Sequence, residues 1–269
     1  MPMNTIHTCI WQEEPEADNT YATHRARCHG FDVYGAMLGR ARWAEMIYLL
    51  FCGEAASLRQ AALLDVLAVA LANPGPRDAS VHAAMCGGIG GSPAAASLIA
   101  ALAVGAGASS GAREVHDAMQ VWARCADNPA NWLTEWESAV QPPVDPVDDI
   151  WPPAGHPPGF DPHGTSIALT VRQTLAACAS CDVGPRLDWL QAHHVALEAA
   201  AGLPLALSGV AAAAFADLGL DPQQGEMLFL LLRLPGAAVH ALEQSGKHYR
   251  DFPFPALDLR NDPQQGVPS

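Results

Sequence analysis

The chain has 269 residues, half of them apolar and 16% charged, which is enough to bury a substantial core in one large domain or two modest ones and excludes an intrinsically disordered polypeptide. Its formal net charge of −14 argues against nucleic-acid binding and against docking on an anionic membrane, both of which need clustered Lys and Arg. Fifty residues are Ala and Lys247 is the only lysine, so a few well-placed arginines would have to grip any anionic substrate.

The N-terminus, Met1 to Thr5, lacks a basic region and the first Lys or Arg is Arg25, so no secretory signal is expected. The seven cysteines are an odd number scattered over a long chain; they do not read as a disulfide framework, and a reducing cytoplasm is the expected compartment. Ile6, Thr8 and Ile10 alternate and predict one short edge strand. Trp43, Ile47, Leu50 and Phe51 predict a helix, as do Leu64, Leu67 and Leu71, and Asn73-Pro74-Gly75-Pro76 stops the second. Ala79 to Ala112 contains no Asp, Glu, Lys or Arg. It is too poor in Leu, Ile and Phe to insert in a membrane and reads as buried, closely packed helix. Within it, Gly87 to Gly91 lacks the spacing of a dinucleotide loop and suits close helix packing. Helices are predicted from about Pro93 to Val104 and from Glu114 to Cys125.

Residues 141–162 carry eight prolines in 22 positions and predict a long loop or a connection between lobes. Helical patterning runs from about Ser166 to Gln244, broken at Gly184-Pro185, Gly202-Leu203-Pro204 and Asp221-Pro222, and the tail from Asp251 is irregular. The chain therefore reads as all-α. Cys178-Ala-Ser-Cys181 with His193-His194 offers zinc-type ligands, but adjacent histidines project to different sides of a helix. Buried thiols beside a solvated His pair are the preferred reading, and no metal is expected.

Three segments, in this order, resemble the citrate synthase superfamily. Gly30-Phe31-Asp32-Val33, Leu38-Gly39-Arg40 and Glu45 to Glu54 look like the family's "GYD … E-x-x-YLLLYGE" helices. Gly155-His156 with Asp161-Pro162 is similar to its "GH-x-V … DPR" loop. Leu203 to Gly209, followed by Arg233-Leu234-Pro235-Gly236 and Ala238-Val239-His240-Ala241-Leu242-Glu243-Gln244, resembles "R-x-PGW-x-AH-x-LEQ". The length leans toward the short citryl-CoA lyase branch, including the citrate synthase-like module of ATP-citrate lyase.

The resemblance implies an all-α homodimer whose large lobe spans 1–110 and 211–269 and whose small lobe spans 111–210, with the site between them. It implies a reaction that makes or breaks the C–C bond between acetyl-CoA and oxaloacetate, with a coenzyme A thioester as substrate. Such chemistry needs a base for the acetyl proton, donors for the enolate oxygen and arginines for the carboxylates. Carried over by residue, His156 is the histidine that handles the citryl hydroxyl proton, and Arg233 and Arg250 are carboxylate-binding arginines. His163 stands where the family has the "DPR" arginine, leaving a weaker, pH-dependent clamp. Ser109 or Ser110 stands at the "LHG" histidine, which lyase modules also lack, and Pro74 stands at the histidine of their "DHGP" turn. The catalytic aspartate is replaced by Leu205, which cannot accept a proton, so Glu114, Asp78 or Glu198 are the candidate replacement acids. The alternative is a homologue that binds CoA or a carboxylate without turnover.

Overall fold

The computed structural model describes residues 6–125, 128–139, 156–247 and 250. The described chain begins with a three-stranded antiparallel sheet, β1 (Trp11–Pro15), β2 (Thr23–Cys28) and β3 (Phe31–Asp32), in the order β1-β2-β3. Ile6, Thr8 and Ile10 do not form the expected strand; pairing starts at Trp11, opposite Cys28. Hydrophobic alternation misplaced the sheet because this ribbon is mostly exposed and carries charges across its strands: Arg27 pairs with Glu14 at 2.7 Å, and Arg25 lies near both Glu14 and Asp32. A single π-helical turn at Val33–Met37 then leads into the helices.

Helices make up the rest of the regular structure. α1 (Trp43–Cys52) and α2 (Leu58–Leu71) fall where the apolar periodicity puts them, and Ser57 opens α2 by a reciprocal cap with Gln60. The uncharged stretch divides into α3 (Ala79–Ile89), capped by Asp78, and α4 (Ala94–Gly105), which follows Pro93. α5 (Ala112–Cys125) is amphipathic, and α6 (Pro129–Ala139) is a helix that the sequence pattern did not reveal. α7 (Leu169–Ala179), α8 (Pro185–Ala201), α9 (Leu207–Asp217) and α10 (Pro222–Ser245) are separated at the expected Gly and Pro breaks. Residues 141–155 of the Pro-rich segment and the tail from 251 lie outside the described residues.

The alanine excess has a structural use in two places. Ala211 to Phe215 in α9 are fully buried, so α9 runs through the main core between α5 and α8. Ala84, Ala101, Ala237 and Ala241 form a second, small-residue core among α3, α4 and α10. There Gly88 presses against the Ala241 carbonyl so closely that a Cβ would collide with it, and a Cβ on Gly87 would lie 2.5 Å from Ser97 Oγ. Four tryptophans, Trp122, Trp132, Trp136 and Trp189, pack edge-on or stacked and join α5, α6 and α8.

α10 is long and apolar enough to cross a membrane by length and composition. It carries the buried Arg233 mid-length, however, and packs against α3, α5 and α4. Pro235 interrupts its ladder, and the next amide is diverted: Gly236 N–H donates to Ala72 O at 2.7 Å. A Cβ on Gly236 would lie 2.7 Å from Asn73 Cα. The C-terminal end of α2 therefore seats directly on α10, and the turn from Asn73 to Pro76 delivers Asp78 beside Arg233.

Candidate active site

A cavity of about 220 Å³ opens between the C-terminal end of α2, the turn before α3, Ser110, the loop at 161–168, the start of α9 and the middle of α10. Its polar lining is Asp78, Ser110, Asp161, Ser166, Ser208 and Arg233, and its apolar wall includes Leu71, Val171, Leu205 and Phe229. Ala70 is shared with an open groove of about 570 Å³ between α2 and α7.

Arg233 is the centre of one half of the site. It is 9% exposed, and a buried guanidinium requires partners. One Nη pairs with Asp78 Oδ2, and the other donates to Ser110 O at 3.0 Å. Its Cζ lies 4.9 Å from the Phe229 ring centroid. Arg233 Nε is buried and makes no hydrogen bond among the described residues. Asp78 is held on its other side because it caps α3: Oδ1 accepts from Ser80 N–H at 3.0 Å and from Ser80 Oγ at 2.5 Å.

Glu114 is the centre of the other half. It stands in the first turn of α5 and is buried. Oε2 accepts Ser110 N–H at 2.5 Å; Oε1 accepts Gly159 N–H at 3.2 Å and the Ser208 hydroxyl at 2.6 Å. Ser110 takes a left-handed φ of 56°, a conformation that non-glycine residues rarely adopt, and the Glu114 bond helps to hold it. Gly159 has φ 90° and would place a Cβ 2.8 Å from Gly209 Cα. Only glycines let these two backbones cross, and Ala206 N–H donates to Gly159 O at 2.9 Å beside the crossing. The Phe160–Leu205 bridge extends the same contact. His156 lies behind Glu114, with Nε2 3.9 Å from Oε2, too far for a hydrogen bond. That Nε2 is buried and unpartnered among the described residues.

The candidate residues thus separate. Asp78, Arg233 and Ser110 line the cavity, with Leu205 and Pro74 in its wall, while Glu114 and His156 form a layer beneath it that reaches the cavity through Ser208. Glu198 accepts Leu205 N–H at 3.1 Å and lies 3.3 Å from His194 Nδ1, so it supports the chain at Leu205 from outside the lining. His163 is exposed, and its amide donates to Asp161 Oδ1 at 2.9 Å. Arg250 is exposed and is not among the lining residues. Ser208 and Asp161 fall inside two of the segments that carry the resemblance, but the sequence assigned neither a role. A serine inside the apolar run Leu203 to Val210 was the available signal, since a buried hydroxyl needs a partner.

The thiols of Cys178 and Cys181 are not among this cavity's lining residues. Burial pushes the Cys178 thiol up to about 12 and raises that of Cys181. His193 stacks on Trp189, and its Nδ1 lies 2.8 Å from Trp189 O, while His194 faces Glu198. Among the described residues, no group of three His, Cys, Asp or Glu is placed to hold a metal ion.

No protein-family model and no curated protein matches the chain by sequence. Solved structures do match. Citryl-CoA lyase from Hydrogenobacter thermophilus superposes with a TM-score of 0.70 at 18% identity, over 97% of this chain and 99% of that one. ATP citrate lyase from Methanothrix soehngenii, solved with citrate and coenzyme A, gives 0.71 at 16% identity over 96% of this chain. An aspartate-to-alanine variant of the Methanosaeta concilii enzyme, solved with (3S)-citryl-CoA, gives 0.68 at 16% identity, also over 96%. This chain spans 43% of each ATP citrate lyase chain. The protein therefore has the all-α, citrate synthase-like fold of citryl-CoA lyase.

Proposed function

We propose that the protein is a citryl-CoA lyase-like enzyme that makes or cleaves the C–C bond between a CoA thioester and an oxo acid. The observation that carries this reading is the hydrogen-bonded set Ser208–Glu114 beneath a cavity that Arg233 and Ser110 also line, on a fold shared with citryl-CoA lyase. In the cleavage direction a 3-hydroxyacyl thioester loses its hydroxyl proton, the C–C bond breaks to give a carbonyl, and the enolate left on the thioester takes up a proton. Ser208 lines the cavity and its Oγ donates to Glu114, so the serine can take the substrate hydroxyl proton as its own passes to Glu114. The same path in reverse returns a proton to the enolate, a transfer that Leu205 cannot make. His156 lies 3.9 Å from that carboxylate, close enough to form a hydrogen bond with it after a small shift. The groove entered past Ala70 suits the extended arm of coenzyme A. The exposed apolar side chains Ile99, Val239 and Leu242 on α4 and α10 support a homodimer, and cytoplasmic localisation accords with the free cysteines.

The test is turnover of a panel of 3-hydroxyacyl-CoA thioesters that includes citryl-CoA, with the released acetyl-CoA and oxo acid measured directly. Cleavage of one member at a rate that Glu114→Gln lowers by about 10²-fold or more is expected; no cleavage of any member sinks the enzyme reading. A second reading, a protein that binds CoA or a carboxylate without turnover, is favoured by Leu205 and Pro74 standing in the cavity wall. Saturable CoA binding without cleavage would select it.

A further inference from the structure

We propose that Arg233 acts through Ser110: it is a positioning residue that seats Glu114 against Ser208, in place of the carboxylate-binding role that the resemblance implies. The proposal rests on the lyase reading for what the Glu114–Ser208 pair does, while the geometry behind it stands without that reading. Separate segments meet here in one line of bonds. Arg233 of α10 donates to Ser110 O at 3.0 Å, and Ser110 N–H donates to Glu114 Oε2 at 2.5 Å. The other oxygen of Glu114 accepts the Ser208 hydroxyl at 2.6 Å. Both Ser110 bonds go to a charged group, the strong class of hydrogen bond.

Ser110 is the joint of this line because its bonds lie on either side of its Cα. Glu114 fixes the peptide plane that precedes the residue and Arg233 fixes the plane that follows it, so between them they set φ and ψ. The φ they set is 56°, in the left-handed region where a Cβ crowds the backbone and glycine is unstrained. A serine persists there only when its surroundings over-determine it. Without the Arg233 bond the turn is free to relax toward negative φ, which rotates the Ser110 amide away from Glu114. Arg233 is itself fixed, since Asp78 holds its other Nη and Ser80 holds Asp78 through the α3 cap. The nitrogens that would grip a substrate carboxylate in parallel are therefore turned to Asp78 and to Ser110 O.

The experiment compares the full-length wild type, a double variant carrying Arg233→Met and Asp78→Asn, and that double variant with Ser110→Gly added. Removing both charges avoids leaving a carboxylate unpaired, and asparagine keeps the α3 cap. The readout is the amide proton of position 110 in a heteronuclear NMR spectrum, identified by its shift in Glu114→Gln. A short bond to a carboxylate moves such a proton far downfield. It is expected downfield in the wild type, to lose that position in the double variant, and to regain it when Ser110→Gly lets the turn hold its conformation unaided. A proton that is not downfield in the wild type, that stays downfield in the double variant, or that Ser110→Gly does not restore overturns the proposal. Should the double variant not fold, Ser110→Gly is expected to restore folding as well, read by circular dichroism, and an unfolded triple variant overturns the proposal too. On a thioester that the wild type cleaves, the double variant is expected to lower kcat by about tenfold or more with a smaller change in KM, and Ser110→Gly to recover kcat. A loss confined to KM marks Arg233 as a carboxylate binder and overturns the proposal. Cleavage of no thioester counts against the lyase reading alone, and the amide proton then decides the positioning role by itself.

Discussion

Glu114 shows how one carboxylate can organise a site without lining it. It binds Ser110, Gly159 and Ser208, and these three belong to separate segments of the chain. Glu114→Gln keeps the volume but turns one acceptor into a donor facing donors, so it should lower turnover and also melt at a lower temperature. Glu114→Asp, one methylene shorter, should recover stability more than rate, and steady-state kinetics beside thermal denaturation separates the two. Cys178 gives a different prediction. Burial pushes its thiol from an ordinary 9.0 up to about 12. Above about pH 9 the unfolded chain releases this proton while the native protein retains it. The unfolded state then binds fewer protons, and stability falls as pH rises through that interval, by up to about 1.4 kcal/mol per pH unit for this one group. Cys178→Ala should flatten the alkaline limb of a plot of Tm against pH, and an unchanged limb would show that the thiol is not the cause. Exposed Cys9 and Cys86 should alkylate with iodoacetamide well before Cys178 does.

At the scale of elements, two glycines on helix contacts make separable predictions. Gly88 packs α3 against Ala241 of α10, and Gly236 packs α10 against Ala72 and Asn73 at the end of α2. Alanine at either position overfills a tight contact and should cost about 1–3 kcal/mol of stability, read by denaturant titration. Only Gly236→Ala should also weaken ligand binding, because the α2–α10 seat delivers Asp78 to Arg233. Equal binding losses in both variants would mean that the seat does not control the site. Pro235 matters for the same reason: by breaking the helical ladder next to Gly236, it frees that amide to bond Ala72 O.

For the whole molecule, the helical pattern largely predicted the architecture, and the pattern failed where burial was lopsided or absent. The β1–β2 ribbon is mostly exposed and buries only the small side chains Ala26 and Cys28, so no strong alternation announced it. α6 contributes mainly Trp132 and Trp136 to the core, too few apolar positions for a clear period. The apolar side chains left exposed on α4 and α10 predict a dimer through that surface. Light scattering should give twice the 28.3 kDa chain mass, and a charge introduced by Leu242→Glu should return the monomer. A monomeric wild type would remove that expectation.

The sequence by itself determined the helices, their breaks at Gly and Pro, and the resemblance in order of three segments, because periodicity and backbone restriction are local properties written residue by residue. It also pointed to Arg233, since an arginine in an apolar helix must find a partner. Which partner it found was decided only by the tertiary structure. Asp78 and Arg233 are 155 residues apart, and Glu114 and Ser208 are 94 apart. No local pattern links such pairs; the seating of α2 on α10 and the crossing of Gly159 with Gly209 bring them together. Long-range packing thus separated the three candidate acids, putting Asp78 in the cavity, Glu114 beneath it and Glu198 outside its lining.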